Sequence, residues 1–370
     1  MPRGSISDVV IAGAGIIGLS VGLELLQRGL TVTVLERNRP MRCASWAAGG
    51  MLAAGDPENP PLLRQIALRS LELYPAYLER IQKLSGHSIP VRTRKTLQMV
   101  VGLKSDYSVA WSRTDAEQAK ALVPGLRPNC EGSASDRHHW IWLDEESIDP
   151  RDLCSALPAA FLAENGTILE NSPVISLRKT EFGVAVITAR EEIGASVFVN
   201  CCGAWAGEPQ MGGIPVEPVK GQMAVLGLAP ERLQCVLRTP EFYAIPRGDG
   251  RVVVGATVER TGFDTVVHPE SIEGLIRTAA EYLPEVRSAP ILDSWAGLRP
   301  GTPDELPILG RSAQKSCWHA TGHYRNGVLL APVTAREMAR AILGDPAEIA
   351  MGPFSPARFE CRPADIDAEN

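Results

Sequence analysis

The sequence lacks the spacings with which cysteine and histidine side chains usually bind a metal ion. Its eight cysteines include no C-x-x-C pair, and its six histidines form no H-E-x-x-H motif. The chain shows no convincing signal peptide, which favours reduced structural thiols over disulfide bonds. We therefore expect no metal site and a cytoplasmic protein.

An excess of positive charge is also missing, because 43 aspartates and glutamates outnumber 37 lysines and arginines. Proteins that bind nucleic acids or anionic membrane surfaces usually carry such an excess. An apolar stretch at residues 9–26 has nearly the length of a membrane span, but four glycines and Glu24 interrupt it. The composition therefore predicts no nucleic-acid partner and no membrane span.

A length of 370 residues favours two domains, and the first forty residues have the pattern of a βαβ unit. Residues 8–12 form a continuous apolar run, which is typical of a parallel strand buried on both faces. Residues 19–27 predict a helix that stops at Gly29, and residues 31–35 predict the second strand.

The turn between the first strand and the helix has the sequence Gly13-x-Gly15-x-x-Gly18. Its glycines permit a tight turn, close approach of a pyrophosphate and close packing of helix on strand. Glu36 ends the second strand, where a carboxylate can accept hydrogen bonds from a ribose diol. The unit therefore predicts a site for FAD or NAD rather than NADP. Small residues at 47–50 favour FAD, although close helix packing explains them equally well.

The remaining sequence alternates between helical and strand-like patterns. A helical pattern covers residues 61–84, where Pro75 is expected to kink or divide the helix. A capping box at 114–117 predicts another helix, and a further one opens at Asp149-Pro150 and closes near Gly166. Later in the chain, the patterns predict antiparallel strands in 216–295, a hairpin turn at 248–250, and a turn-rich then helical block at 297–341.

These changes of pattern predict two interleaved domains. The expected fold class is α/β, with a doubly wound, Rossmann-like FAD-binding domain interleaved with a mostly antiparallel α+β substrate domain. The predicted FAD-binding domain comprises residues 1–86, 147–215 and 296–370, and the predicted substrate-binding domain comprises residues 87–146 and 216–295.

Two arginines stand out late in the chain. Arg299 lies in the turn-rich stretch 295–304, and Arg325 lies in the segment 321–332, which ends in an apolar run suited to a helix start. A guanidinium group matches a carboxylate with two parallel hydrogen bonds, so the pair is a candidate carboxylate site. Ordinary surface salt bridges are the alternative interpretation of the same residues.

The sequence resembles the glycine oxidases of the thiamine-biosynthesis type, within the D-amino-acid oxidase and sarcosine oxidase superfamily of FAD enzymes. The resemblance covers nearly the whole chain. Besides the glycine fingerprint, it rests on the segments 48–51, 243–247, 255–257, 297–304 and 322–332. The last two segments are the most selective.

The resemblance implies roles for individual residues. Tyr243, Arg299 and Arg325 correspond to active-site residues that contact the substrate and its carboxylate. The implied cofactor-binding residues are Gly13, Gly15, Ile16, Ile17, Gly18, Glu36, Arg37, Ala44, Ser45, Gly49, Gly50, Met51, Val174, His323, Tyr324, Arg325, Asn326, Gly327, Val328 and Leu329. His323 is interpreted as a structural or flavin-facing residue rather than a base.

Three positions depart from the pattern of the relatives. Glu241 stands where some relatives carry a histidine near the site mouth, and Val258 replaces a methionine near the substrate. Both differences bear on side-chain preference. Covalent-flavin relatives carry a cysteine where this chain has Ala296-Gly297, so the resemblance implies non-covalent FAD.

The implied reaction is the oxidative deamination of glycine, sarcosine and small D-amino acids to an imine or α-keto acid, ammonia and hydrogen peroxide. Molecular oxygen would be the second substrate, thiamine thiazole synthesis the destination, and a homo-oligomer the expected assembly. The alternatives are a D-amino-acid, sarcosine or proline-type dehydrogenase with another electron acceptor, a flavoprotein that delivers an intermediate to a partner enzyme, and an NAD-dependent dehydrogenase.

Overall fold

A computed structural model describes residues 6–101, 112–114, 123–127 and 138–359 of the chain. The helices are α1 (Ile16–Gln27), α2 (Ala44–Ala47), α3 (Leu63–Ser85), α4 (Pro150–Ala163), α5 (Pro269–Tyr282) and α6 (Gly327–Leu343). The first nine strands are β1 (Ile6–Ala12), β2 (Val32–Leu35), β3 (Val91–Thr93), β4 (Thr96–Val101), β5 (Ser112–Thr114), β6 (His138–Leu143), β7 (Ser147–Ile148), β8 (Thr167–Leu169) and β9 (Val174–Lys179). The others are β10 (Val184–Thr188), β11 (Glu192–Asn200), β12 (Glu217–Gly227), β13 (Val236–Arg238), β14 (Tyr243–Pro246), β15 (Arg251–Gly255), β16 (Ile291–Gly301), β17 (Ile308–Arg311) and β18 (Cys317–Thr321).

The first sheet has a parallel core. Its strand order is β17-β18-β11-β1-β2-β8, and β10 and β9 extend it antiparallel from β11. The central strand β1 is buried on both faces: Val9 and Ile11 pack in the helical core, whereas Val10 and Ala12 pack in a second apolar cluster with β10. This two-sided burial explains the continuous apolar run and confirms the predicted α/β fold class.

The second sheet is mostly antiparallel, with the order β16-β12-β15-β14-β13-β4-β6-β5. Only the β13–β4 pair is parallel among the described strands of this sheet. The hairpin that joins β14 to β15 turns at the predicted residues 248–250. The apolar core on this second sheet includes residues of α5 such as Ile272 and Leu275. The helix predicted from the capping box lies outside the described residues after Thr114.

Of the two outcomes expected at Pro75, division of the helix is wrong, and the turns expected at 295–301 are wrong as well. Helix α3 continues through Pro75 without division, because its buried face, including Ile66 and Tyr74, is held against α4 and α6. The stretch 295–301 is not a series of turns but the end of β16, which pairs with β12 along its length. As an edge strand, β16 tolerates Pro300, which lacks a backbone donor.

The glycines of β16 serve close packing rather than turns. A side chain at Gly297 would overlap Ala47, and one at its pairing partner Gly221 would overlap the guanidinium of Arg299. The predicted domain boundary at residue 296 falls inside this strand, so residues 296–301 extend the second sheet. The division of the chain into two domains stays a prediction.

Within the described part of the chain, no helix is both long and apolar enough to cross a bilayer.

We expect Gly18→Ala to destabilise the chain by about 2–3 kcal/mol, because a methyl group there would overlap the backbone carbonyl of Gly13. Urea unfolding at saturating FAD measures the change. Gly194→Ala is the matched control, since a Cβ at this strand position meets no other atom within 4 Å. Equal midpoints for the two variants would contradict the packing role of Gly18.

Candidate functional site

A large cavity lies between the carboxyl end of β1 in the first sheet and the strands β14 and β16 of the second. Nearly all predicted site residues line it. The exceptions are Gly18, which packs against the turn at Gly13, and Leu329, which lies in α6 and is almost fully buried in the helical core. Neither residue lines the cavity, and the cofactor-binding role of each stays a prediction.

The amino end of α1 opens onto one end of this cavity. Gly15 precedes the helix, and Gly13, Gly15, Ile16 and Ile17 form the wall there. The backbone N–H of Ile16 donates to the Ser45 hydroxyl at 2.9 Å, which holds the loop after β2 against the helix start. A helix amino terminus next to a cavity provides the donors and the positive potential that a pyrophosphate needs.

Glu36 is fixed at the end of β2 beside this helix start. Its carboxylate is buried and accepts hydrogen bonds from the backbone N–H of Ala14 at 3.0 Å and of Asn38 at 2.9 Å. The next residue, Arg37, places its guanidinium 4.7 Å from the centre of the Trp205 ring. An oriented carboxylate here suits a ribose diol, and Val174 lines the same part of the cavity.

The segment 44–51 crosses from the first sheet to the second along the cavity wall. Gly50 has φ +89°, and a side chain there would overlap the carbonyl of Ile148. Arg247 donates to the carbonyl oxygens of Gly49 at 2.9 Å and Ile148 at 3.0 Å. Close packing thus explains the small residues, and the same residues also form cavity surface.

The loop before α6 forms the opposite wall. His323, Tyr324, Asn326, Gly327 and Val328 line the cavity there. The His323 ring is almost fully buried, and its Nε2 lies 3.0 Å from the Thr334 hydroxyl. Burial lowers the pKa of His323 to about 3, so the ring is neutral at ordinary pH. A neutral, hydrogen-bonded ring agrees with the structural interpretation of this histidine.

Tyr243, Arg299 and Arg325 all reach the cavity, from β14, β16 and the loop before α6. Burial raises the pKa of Tyr243, and the nearby guanidinium of Arg299 opposes that rise. The Tyr243 hydroxyl also lies 3.3 Å from the sulfur of Met223. The phenol therefore remains a neutral hydrogen-bond donor beside a cation.

Arg299 is held in place by backbone carbonyl groups. Its Nη1 donates to the carbonyl oxygen of Thr257 at 3.1 Å and of Lys220 at 3.3 Å. In residues 6–101, 112–114, 123–127 and 138–359 no carboxylate pairs with it. A cation that is positioned by neutral carbonyl groups retains its charge for an anionic ligand.

The side chain and the backbone of Lys220 hold residues 257–264, the segment that supplies the Thr257 carbonyl group. Its side chain is fully buried and pairs with Asp264. Its backbone N–H donates to the carbonyl of Glu259 at 2.8 Å, and the N–H of Gln222 donates to the Thr257 hydroxyl at 2.9 Å. Residues 257–264 are therefore bound to β12 directly over Arg299.

The sequence did not indicate several other cavity residues. Residues 201–205 line the cavity because β11 is the parallel neighbour of β1, and the carboxyl ends of both strands meet there. The predicted strand pattern alone would have been enough to apply this rule to residues 201–205. Asp56, Glu58 and Arg238 also line the cavity, but only the tertiary structure brings these distant residues together. The two departures from the family pattern, Glu241 and Val258, both face this cavity.

Comparison with known proteins agrees with this geometry. Residues 8–341 match the family described as FAD dependent oxidoreductase (DAO). The glycine oxidase of Pseudomonas aeruginosa is 34% identical, covering 94% of this chain and 98% of the relative. The bifunctional protein ThiO/ThiG of a Synechocystis species is 36% identical over 95% of this chain, which spans only 54% of that longer protein. The crystal structure of glycine oxidase from Geobacillus kaustophilus superposes with a TM-score of 0.87, with 27% identity, covering 96% of this chain and 99% of that one.

The chain therefore belongs to the FAD dependent oxidoreductase family, as the resemblance predicted. FAD is its cofactor, and the interpretation as an NAD-dependent dehydrogenase is wrong. The residues present fit FAD: the amino end of α1 faces the cavity, a fixed carboxylate lies at Glu36, and the cavity continues from there to Arg299. The roles of the individual site residues remain predictions.

The buried His323 should make folding stability depend on pH. The ring is neutral in the folded chain but takes up a proton near pH 6.5 when unfolded, so acid favours the unfolded state. We expect this one group to lower the free energy of unfolding by about 2 kcal/mol between pH 7 and pH 5. Urea unfolding at saturating FAD across this range provides the measurement.

In His323→Asn, the pH dependence should be smaller by that amount, whatever the variant's stability at pH 7. His87→Asn removes an exposed histidine and serves as the comparison. The same pH slope in wild type and His323→Asn would show that the folded ring takes up the proton as readily as the unfolded one.

Proposed function

We propose that this protein oxidises glycine, sarcosine and small D-amino acids to the corresponding imines, which hydrolyse to an α-keto acid and ammonia. Molecular oxygen is the proposed electron acceptor, and hydrogen peroxide its product. The observation that carries the proposal is Arg299, a cation without an acidic partner in the described chain, fixed in the cavity beside Tyr243. Such a group is suited to the carboxylate of an amino acid.

Arg299 would bind the substrate carboxylate with two N–H groups, and the Tyr243 hydroxyl would donate a further hydrogen bond. Bound FAD supplies the chemistry by accepting the two electrons and the hydrogen removed from the α-carbon. The chain's own contribution is to hold that carbon in one orientation, which converts an encounter into an intramolecular reaction. Apolar groups such as Met223 and Ala256 limit water beside the tyrosine.

The same arginine favours the reactive protonation state of the substrate. A fixed guanidinium disfavours a second positive charge nearby, so it lowers the pKa of a bound ammonium group. The amine can then lose its proton to solvent before oxidation. Because His323 is neutral and bonded to Thr334, the proposal assigns it no role as a base.

The similarity to ThiO/ThiG proteins supports a role in supplying thiamine thiazole synthesis. Non-covalent binding of FAD is also part of the proposal, since this chain has alanine and glycine at residues 296–297, where covalent-flavin relatives carry a cysteine. A homo-oligomeric, cytoplasmic protein remains our expectation. A dehydrogenase with another electron acceptor, or delivery of a product to a partner enzyme, would use the same cavity.

Anaerobic mixing of the purified holoprotein with glycine, sarcosine, D-alanine or D-proline tests the proposal. We expect sarcosine or glycine to bleach the visible absorbance of the oxidised flavin, and peroxide to form under air. Bleaching without peroxide would favour the dehydrogenase. If no amino acid bleaches the flavin, oxidation of amino acids is refuted.

Arg299→Ala should raise KM for sarcosine at least about 100-fold, because a charged hydrogen-bond pair is lost, while FAD content is retained. Arg299→Lys should restore part of the affinity, since it keeps the charge but not the planar fork. Arg311→Ala removes an exposed arginine outside the cavity and is the control. Steady-state kinetics with unchanged KM in Arg299→Ala would eliminate the carboxylate role.

A further inference from the structure

Arg299 and Arg325, two of the arginines that line the cavity, differ in their charge environment. In the described part of the chain, Arg299 is held by two backbone carbonyl groups beside the Tyr243 hydroxyl and has no acidic partner. Arg325 has an acidic partner, because its Nη1 lies 3.3 Å from a carboxylate oxygen of Glu58. The guanidinium of Arg325 also lies 5.5 Å from the centre of the Tyr324 ring. Of these two cations, Arg299 is available to an anionic ligand, and Arg325 is neutralised by Glu58.

The position of Glu58 is fixed by its neighbours in the chain. The backbone N–H of Glu58 donates to the side chain of Asp56 at 3.0 Å. The Asn326 amide donates to the Asn59 side chain at 3.0 Å, and the Asn59 amide in turn donates to the carbonyl of Ala53 at 2.9 Å. Residues 56–59 are thus joined to the loop that carries Arg325 by two adjacent contacts.

The charges around this pair leave a negative excess when the buried Glu145, which lies behind the cavity wall, is counted with them. Burial and the neighbouring Asp56 raise the pKa of Glu58, whereas Arg325 and Arg238 lower it. Asp56 lies 3.7 Å from Arg238, which also pairs with the buried Glu145 at 3.0 Å. Three carboxylates therefore face two guanidinium groups. A second carboxylate on a ligand would meet a compensated arginine and additional negative charge.

We propose that Glu58 is a specificity-determining residue that restricts the site to substrates with a single carboxylate. The inference rests on the proposed function, in which Arg299 binds the first carboxylate. A dicarboxylate would have to displace Glu58 from Arg325 while the glutamate stays nearby, held by the contacts of residues 56–59. Removal of the glutamate charge leaves Arg325 free to accept the second carboxylate.

Sarcosine and iminodiacetate form a matched pair of substrates, because they differ by one carboxylate on the same secondary amine. In Glu58→Gln, we expect the ratio of kcat/KM for iminodiacetate to kcat/KM for sarcosine to rise about tenfold, the effect of one unit charge roughly 6 Å away at an effective dielectric near 40. Glu72→Gln is the control, since it removes the acid of an exposed arginine pair, 2.6 Å from Arg69, outside the cavity.

Binding of redox-inert acids separates this inference from the reaction itself. Acetate and malonate are titrated into the oxidised holoprotein, and the change in flavin absorbance gives each dissociation constant. Wild type should bind acetate in preference to malonate, and Glu58→Gln should shift the malonate-to-acetate ratio of dissociation constants about tenfold towards malonate. The Glu72→Gln control should retain the wild-type ratio.

Each result bears on one of the two proposals. Unchanged ratios in Glu58→Gln, or equal binding of malonate and acetate by wild type, would overturn the role of Glu58 even if sarcosine reduces the flavin. The expected shift in binding without flavin reduction by any amino acid would support the role of Glu58 and refute the proposed reaction. Binding of neither acid would overturn the role of Glu58 and the carboxylate role of Arg299, whereas flavin reduction alone decides the proposed reaction.

Discussion

Close contact between the segment 44–51 and the second sheet is the constraint on which the site depends. The indole N–H of Trp295 donates to the carbonyl of Ala47 at 3.2 Å, and a side chain at Gly297 would overlap the same alanine. Because β16 carries both Trp295 and Arg299, this contact fixes the distance between the cofactor end and the substrate end of the cavity. Larger residues at the contact would separate the two sheets.

Three buried cations, Lys220, Arg238 and Arg247, each have a carboxylate partner. Lys220 pairs with Asp264, Arg238 with Glu145, and Arg247 lies 3.6 Å from Asp149. Each pair compensates the cost of removing its ions from water. Arg299 departs from this pattern within the described chain, because carbonyl dipoles position it without neutralising it. At Arg299, therefore, the cavity holds a charge that is fixed in position but not paired with a carboxylate of the described chain.

The local patterns of the sequence predicted much of the fold. The apolar run of β1, the glycine turn and the acid at Glu36 each occupy the expected place in the parallel sheet. Predictions based on single residues were less successful. Pro75 lies inside one helix, and the glycines of β16 lie in a strand, because tertiary packing outweighs the local preference of these residues for turns.

The sequence by itself determined the βαβ unit and the identity of its cofactor class, since these depend on short-range periodicity and on closely spaced glycines. It also identified Tyr243, Arg299 and Arg325 as candidates through the family resemblance. Only the tertiary structure decided that Arg299 is unpaired and that Arg325 is neutralised by Glu58. The Arg325–Glu58 pair joins residues 267 positions apart, and no local sequence pattern encodes such a contact.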